Sequence, residues 1–168
     1  DILFNNAGVY GYEDLADRAA LERHLAVNLF GTYAVTQAFL PRLIESQGTI
    51  VNVLSLAAVA AVPISPAYSI SKAAAFSWTQ SLRATLAGQS VDVHAVLPGP
   101  VDTDMVRDLD IPKASPQSVA AAILDGLDKG EDEIFPDPFS QALAGSWSSG
   151  AVKALERQNA ALVTAARN

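Results

Sequence analysis

The chain has 168 residues, half of them apolar and 17% charged, which suits one packed domain and argues against wholesale disorder. Its net charge of −7 would repel nucleic-acid phosphates, and no basic amphipathic stretch suits a membrane surface. Without cysteine, disulfides and thiolate chemistry are excluded; the two histidines, His24 and His94, lie far apart and give a metal site little support, and the composition fits a reducing, cytoplasmic setting.

The chain opens without a methionine, directly on the apolar run Ile2–Phe4. That reads as a strand entered from upstream, so the expectation is a single partial domain over residues 1–168. A long helical pattern follows from about Leu15 to Glu45, with Leu21, Leu25, Leu29 and Tyr33 at four-residue steps, ending near Gly48. His24 is expected on the surface of that helix. Thr49–Leu54 and Val91–Leu97 are Val-rich and nearly continuous, as in strands buried on both faces of a parallel sheet; His94 is expected there as a satisfied strand residue. Between them a helix runs from near Ala67 to Leu86, with Gly88 expected at its C-terminal cap. Ser115-Pro116, a capping Ser before a Pro at the first helical position, opens a helix to about Leu127. Glu133–Phe135 is the last strand. Pro136–Gly150, rich in Pro, Ser and Gly, reads as a loop, and Ala151–Ala166 as a helix of unclear role.

Alternating strands and helices predict an α/β fold with a doubly wound parallel sheet, whose ligands sit outside the carboxyl ends of the strands. There the first strand runs into Asn5-Asn6-Ala7-Gly8, the second into Ser55, and the third into Pro98-Gly99-Pro100-Val101-Asp102-Thr103. Any one of these is an ordinary turn. Three on the same edge, each followed by a helix, point to a site. Tyr68 and Lys72 stand four residues apart, on one face of the second long helix. A phenol is a poor acid at neutral pH; a nearby ammonium favours the phenolate, which predicts a Tyr68 pKa below the usual value and a group able to trade a proton with a carbonyl or alcohol oxygen. Ser55 can hydrogen-bond the same oxygen. Taken alone, Tyr-x-x-x-Lys arises by chance about one time in ten at this composition, and the plain reading is a surface pair; Asn-Asn-Ala-Gly is far rarer.

Asn5-Asn6-Ala7-Gly8, Val27-Asn28, Ser55, Tyr68-Ser69-Ile70-Ser71-Lys72 and Pro98-Gly99 followed by Thr103 together resemble the short-chain dehydrogenase/reductase family, over about residues 1 to 140. The resemblance implies a Rossmann-like domain and hydride transfer between NAD or NADP and a small carbonyl or alcohol substrate. It implies Tyr68 as general acid and base, Lys72 as the residue that lowers its pKa and holds the nicotinamide ribose, and Ser55 as the residue polarising the substrate oxygen. Asn28 would interrupt its helix and hold a water in a relay towards Lys72. Asn6, Ala7 and Gly8 would pass near the adenosine half of the cofactor, Pro98 and Gly99 near the nicotinamide, and Thr103 would bond its carboxamide. Family members are commonly homodimers or homotetramers built through the two long helices, where the face of Phe76, Trp78 and Leu82 could serve if it is not internal packing.

The family's opening strands and Thr-Gly-x-x-x-Gly-x-Gly turn have no counterpart in this sequence, nor has the residue that chooses NAD or NADP. The strand Ile2–Phe4 is then expected at a sheet edge, and the chain by itself is expected to fold poorly and not to turn over. Leu56–Ala61 and Val62-Pro63-Ile64, small and apolar, suggest a hydrophobic substrate, and the short segment Asp104–Lys113 an open site. Two alternatives remain: a sugar-nucleotide epimerase or dehydratase, which normally lacks Asn-Asn-Ala-Gly, and a non-catalytic binding protein on the same fold.

Overall fold

Short Val- and Ile-rich segments separated by amphipathic helices form a four-stranded, wholly parallel sheet in the computed structural model, which describes residues 1–165. The strands are β1 (Ile2–Asn5), β2 (Thr49–Val53), β3 (Asp92–Val96) and β4 (Glu133–Ile134), in that spatial order. The helices are α1 (Arg18–His24), α2 (Thr32–Ser46), α3 (Pro66–Leu86), α4 (Pro116–Asp128), α5 (Pro138–Ser148) and α6 (Ala151–Ala165). The expected last residue of α6, Ala166, lies outside the described residues.

Side-chain alternation sorts the sheet into two faces. Ile50, Leu54, Val93, Ala95 and Leu97 face α2 and α3, packing on Leu43, Ala75, Phe76, Leu82 and Leu86. Val51, Val96 and Ile134 face α4 through Val119 and Ile123. Phe76 and Leu82 are therefore core residues and Trp78 packs against the cluster that holds Leu82, so the face considered for subunit contact is internal packing. The α2–α3 layer also buries a polar ladder. Asn5 Nδ2 donates to Thr36 Oγ1 at 2.9 Å and Asn52 Oδ1 at 2.8 Å, and Asn52 Nδ2 donates to Thr79 Oγ1 at 2.9 Å. Each buried amide meets a partner, which ties β1, β2, α2 and α3 in one register. β1 lies at the sheet edge as expected, with Ile2 and Phe4 exposed.

Four expectations need correction. The helix placed at Leu15–Glu45 begins at Arg18 and changes its winding over Leu25–Gly31, a π-helical stretch between α1 and α2. Gly88 does not cap α3; a short 3-10 turn follows, and the left-handed residue is Ser90 at φ 57°. The segment Pro136–Gly150 is not a loop: Asp137 caps α5 with Pro138 at the first helical position, a capping box completed by Ser140. His24 is not on the surface but 3% exposed. His94 behaves as expected, with Nδ1 2.7 Å from the Glu131 carbonyl.

Candidate active site

The register places the site. Asn5 pairs with Asn52, Asn52 with Ala95, and Ala95 with Glu133, so the four strands leave the sheet at one level. The segments just beyond that row, Asn6–Gly8, Leu54-Ser55, Pro98-Gly99 and Phe135–Asp137, share one edge. α3 rises from the same edge, with Ser65 at its N-cap position and Pro66 at its first turn, and presents Tyr68 and Lys72 there.

Lys72 is buried at 5% exposure, and Nζ donates to the Val53 carbonyl at 3.0 Å. Nζ also stands 5.7 Å from the centroid of the Tyr68 ring. Burial lowers the Lys72 pKa to about 8. Tyr68 departs from the expected direction. Burial raises its pKa above the usual phenol value, the Ser55 hydroxyl pulls it down, and Tyr10 pushes it up again. Without a ligand, desolvation outweighs every neighbouring group, so the phenol is the protonated form at neutral pH. Ser55 sits on extended backbone at the head of a 3-10 turn, and its Oγ accepts from Ala57 N at 3.1 Å.

Asn28 lies in the π-helical stretch, 1% exposed. Its Oδ1 accepts from Val9 N at 2.9 Å, and its Nδ2 donates to Val9 O at 3.0 Å and to Ser71 Oγ at 2.9 Å. Both amide hydrogens are spent, so Nδ2 has none to offer a water. Asn28 thus staples the loop after β1 to α3, and Ser71, which donates to the Tyr68 carbonyl at 2.7 Å, relays that staple to the tyrosine's own turn. Gly8 borders the same place: a Cβ there would stand 3.3 Å from Asn28 Oδ1 and 3.6 Å from Lys72 Nζ. Asn6 and Ala7 are exposed beside it.

Gly99 packs closely against the start of α5. Its N–H donates to Asp137 Oδ2 at 2.8 Å, and a Cβ would come within 3.0 Å of both Asp137 Oδ1 and Phe139. The start of α5 packs on this turn, with Pro98 buried under it. Thr103 is exposed, its hydroxyl 3.4 Å from the Val101 carbonyl, so the structure does not join it to the Tyr68 cluster. The segment 104–113 is closed at its base by the Val101–Ala114 bridge. An apolar cavity of about 210 Å³, lined by Leu56, Val59, Phe135, Leu143, Trp147 and Val152, opens beside the turn that Ser55 begins.

Sequence reasoning missed Ser71, Asp137 and an aromatic and polar group around Tyr68. Tyr10 meets Tyr68 edge-on at 5.1 Å, His24 at 6.3 Å, and Tyr12 meets Tyr10 at 5.7 Å. Ser71 carried a signal, lying inside Tyr-Ser-Ile-Ser-Lys, and so did Asp137, standing directly before Pro138; the aromatic group around Tyr68 carried none.

A parallel sheet wound on both faces, with this cluster at its carboxyl edge, defines a Rossmann-like α/β protein. Comparison with known proteins narrows the class. The short chain dehydrogenase family model matches residues 1–113. The chain is 40% identical over 102 residues to 2-(S)-hydroxypropyl-CoM dehydrogenase 3 of Xanthobacter autotrophicus, covering 59% of this chain and 40% of that protein. It is 32% identical over 155 residues to ketoacyl reductase HetN of Nostoc, covering 85% of this chain and 54% of that one. A crystal structure of a short chain dehydrogenase from Burkholderia cenocepacia in complex with NADP superposes with a TM-score of 0.82 at 37% identity, covering 94% of this chain and 67% of that one. The chain belongs to the short-chain dehydrogenase/reductase family. It spans about half the length of these two curated relatives.

Proposed function

We propose that this chain carries the proton-transfer half of an NAD- or NADP-dependent oxidoreductase acting on a carbonyl or alcohol, within one Rossmann-like domain. The observation that carries the reading is the meeting of Ser55, Tyr68 and a buried Lys72 at the carboxyl edge of the sheet. The residues fit a nicotinamide ribose. Among the described residues Lys72 Nζ has one hydrogen-bond acceptor, Val53 O, which leaves two of its three donors for ribose hydroxyls, and Gly8 keeps the approach to Nζ free of a side chain. The Burkholderia relative was solved with NADP, which supports the same class of cofactor here. When bound, the nicotinamide supplies or accepts the hydride.

The chain's own residues handle the proton. In reduction, Tyr68 holds its proton at Oη until charge develops on the substrate oxygen, which is what a phenol of raised pKa does at neutral pH. Ser55 bonds the same oxygen and fixes the carbonyl beside the phenol. Lys72, with a pKa of about 8, is mostly cationic at neutral pH and stabilises the tyrosinate that forms. Asn28 and Ser71 hold the loop and helix so that these groups keep their spacing. The apolar cavity beside Ser55 supports a substrate with a hydrophobic portion, and the exposed Tyr33, Val35 and Phe39 of α2 support a homodimer or homotetramer. No described helix is long and apolar enough to cross a membrane.

Tyr68→Phe in the full-length protein tests the reading. Turnover of carbonyl substrates with NADH or NADPH is expected to fall by about 10²–10⁴-fold with the circular dichroism spectrum unchanged. Substantial turnover in a folded Tyr68→Phe protein would overturn it.

A further inference from the structure

The mechanism above leaves one buried titratable pair unused. His24 closes α1, four residues before Asn28, the same spacing that separates Tyr68 and Lys72 on α3. Asn28 reaches Ser71, and His24 lies edge-on to the Tyr68 ring. Glu13, from the loop after β1, meets the histidine: Glu13 Oε1 is 3.1 Å from His24 Nε2, with side-chain exposures of 6% and 4%. The carboxylate fits because residue 11 is glycine; a Cβ there would stand 2.7 Å from Glu13 Oε1.

Proton counting makes the pair unusual. His24 Nδ1 lies 2.8 Å from the Ala20 carbonyl, which can only accept, so Nδ1 must carry hydrogen. In the neutral imidazole Nε2 then holds a lone pair, aimed at a carboxylate oxygen. Neither atom has a donor for the other, and Glu13 Oε2 and His24 Nε2 have no hydrogen-bond partner among the described residues. Two lone pairs at that distance in a dry site repel. One added proton removes the conflict, as imidazolium beside carboxylate or as imidazole beside carboxylic acid, and both forms are neutral overall.

We infer that Glu13 and His24 share a single proton, and that this shared proton makes them positioning residues for Tyr68. The inference rests on the reading of Tyr68 as the proton donor. The proton ties the loop that carries Glu13 to α1. The same loop carries Tyr10, which packs on one part of the Tyr68 ring while His24 packs on another. Tyr68 therefore stands in an aromatic seat whose walls are joined by the Glu13–His24 contact. The groups facing His24 are Glu13 from the loop and Tyr68 from α3, with Lys72 Nζ near the Tyr68 ring; Arg23, its neighbour on α1, is exposed. Without that proton the contact is repulsive and the loop wall is not held.

Nuclear magnetic resonance on the full-length protein, labelled with 15N and 13C, reads the proton directly. At neutral pH either His24 is doubly protonated or the Glu13 carboxyl is protonated; a neutral His24 beside an ionised Glu13 overturns the inference. Glu13→Gln is the second arm, because its amide N–H can donate to Nε2 without any added proton. That variant is expected to keep turnover close to the parent's. Glu13→Leu and His24→Phe are expected to lower kcat about 10²-fold with KM little changed, the effect of misplacing the tyrosine. Equal losses in Glu13→Gln and Glu13→Leu, or no loss in any variant, overturn the positioning role. A parent protein with no dehydrogenase turnover would defeat the proposed function, and the spectrum would still decide the shared proton.

Discussion

Lys72 carries its charge at 5% exposure with the Val53 carbonyl as its protein acceptor. The consequence is a pH-dependent stability whose sign follows from proton uptake. Burial holds the folded-state pKa at about 8, against 10.5 for the free side chain. Below the lower value both states are protonated and the full burial penalty is present. Between the two values the unfolded chain binds a proton that the folded chain has released, so stability rises with pH. The rise from Lys72 is about 3 kcal/mol over that window. Tyr68 acts in the opposite sense at higher pH. Its raised pKa keeps the folded phenol protonated while the unfolded one ionises, so stability falls above the usual phenol value. Lys72→Met removes the first effect and keeps the second. Denaturant melts at a series of pH values should therefore show the parent gaining on the variant between pH 8 and 10.5. Curves that stay parallel would show that Lys72 is far better solvated than its geometry implies. The spacing of Tyr68 and Lys72 was legible in the sequence because four residues on a helix fix two side chains on one face. The direction of the Tyr68 shift was not, because it depends on how deeply the phenol is packed, and that is set by Tyr10 and by His24 from other elements.

Among the elements, α5 shows how a helix can be hidden by its own composition. Pro, Ser and Gly between residues 136 and 150 read as loop residues, yet Asp137-Pro138 is the same cap-then-proline signature that marks α4 at Ser115-Pro116. What distinguishes Asp137 is its reach. Oδ1 accepts from Phe139 N and Ser140 N, both at 3.0 Å, and Oδ2 accepts from Gly99 N and Ser140 Oγ, both at 2.8 Å. One carboxylate at 2% exposure thus caps α5 and ties it to the turn after β3. Asp137→Ala would leave these donors buried without an acceptor and is expected to lower unfolding free energy by about 3 kcal/mol. Asp137→Asn keeps one oxygen for the cap and should lose less. Equal losses for the two variants, measured by urea titration, would show that packing rather than the acceptor oxygens holds α5. The π-helical stretch at Leu25–Gly31 was equally illegible, since an extra residue in a helical turn leaves the four-residue apolar repeat nearly intact.

Across the whole molecule, the strands and the two-faced sheet could be read from local hydrophobic runs, because burial on both faces demands continuous Val and Ile. The attachment of the last helix could not, since it depends on charges far apart in the chain. Lys153 of α6 is 3% exposed and lies 2.9 Å from Asp132, 2.8 Å from Glu133 and 3.0 Å from Glu156. Arg83 of α3 closes the network from the other side, 2.8 Å from Glu133 and 2.6 Å from Glu156, and Trp147 of α5 donates to Glu133 at 3.0 Å. α3, β4, α5 and α6 therefore meet at one buried carboxylate. Burial alone would lower the Lys153 pKa, but the Glu133 and Asp132 carboxylates outweigh it and hold the amine above its usual value. Such a network is only weakly stabilising relative to an apolar core, but removing one partner strands the others. Lys153→Met leaves three carboxylates around Arg83 as the remaining cation of the network, and is expected to cost about 3–5 kcal/mol. Adding Glu133→Gln to that variant removes the stranded charge and should recover a large part of the loss, a coupling that a double-mutant cycle measures. Hydrogen exchange should locate the damage in α6, with β2 and β3 still protected. Purely additive losses would mean that Lys153 and Glu133 do not act on each other, and that α6 is held by its apolar contacts.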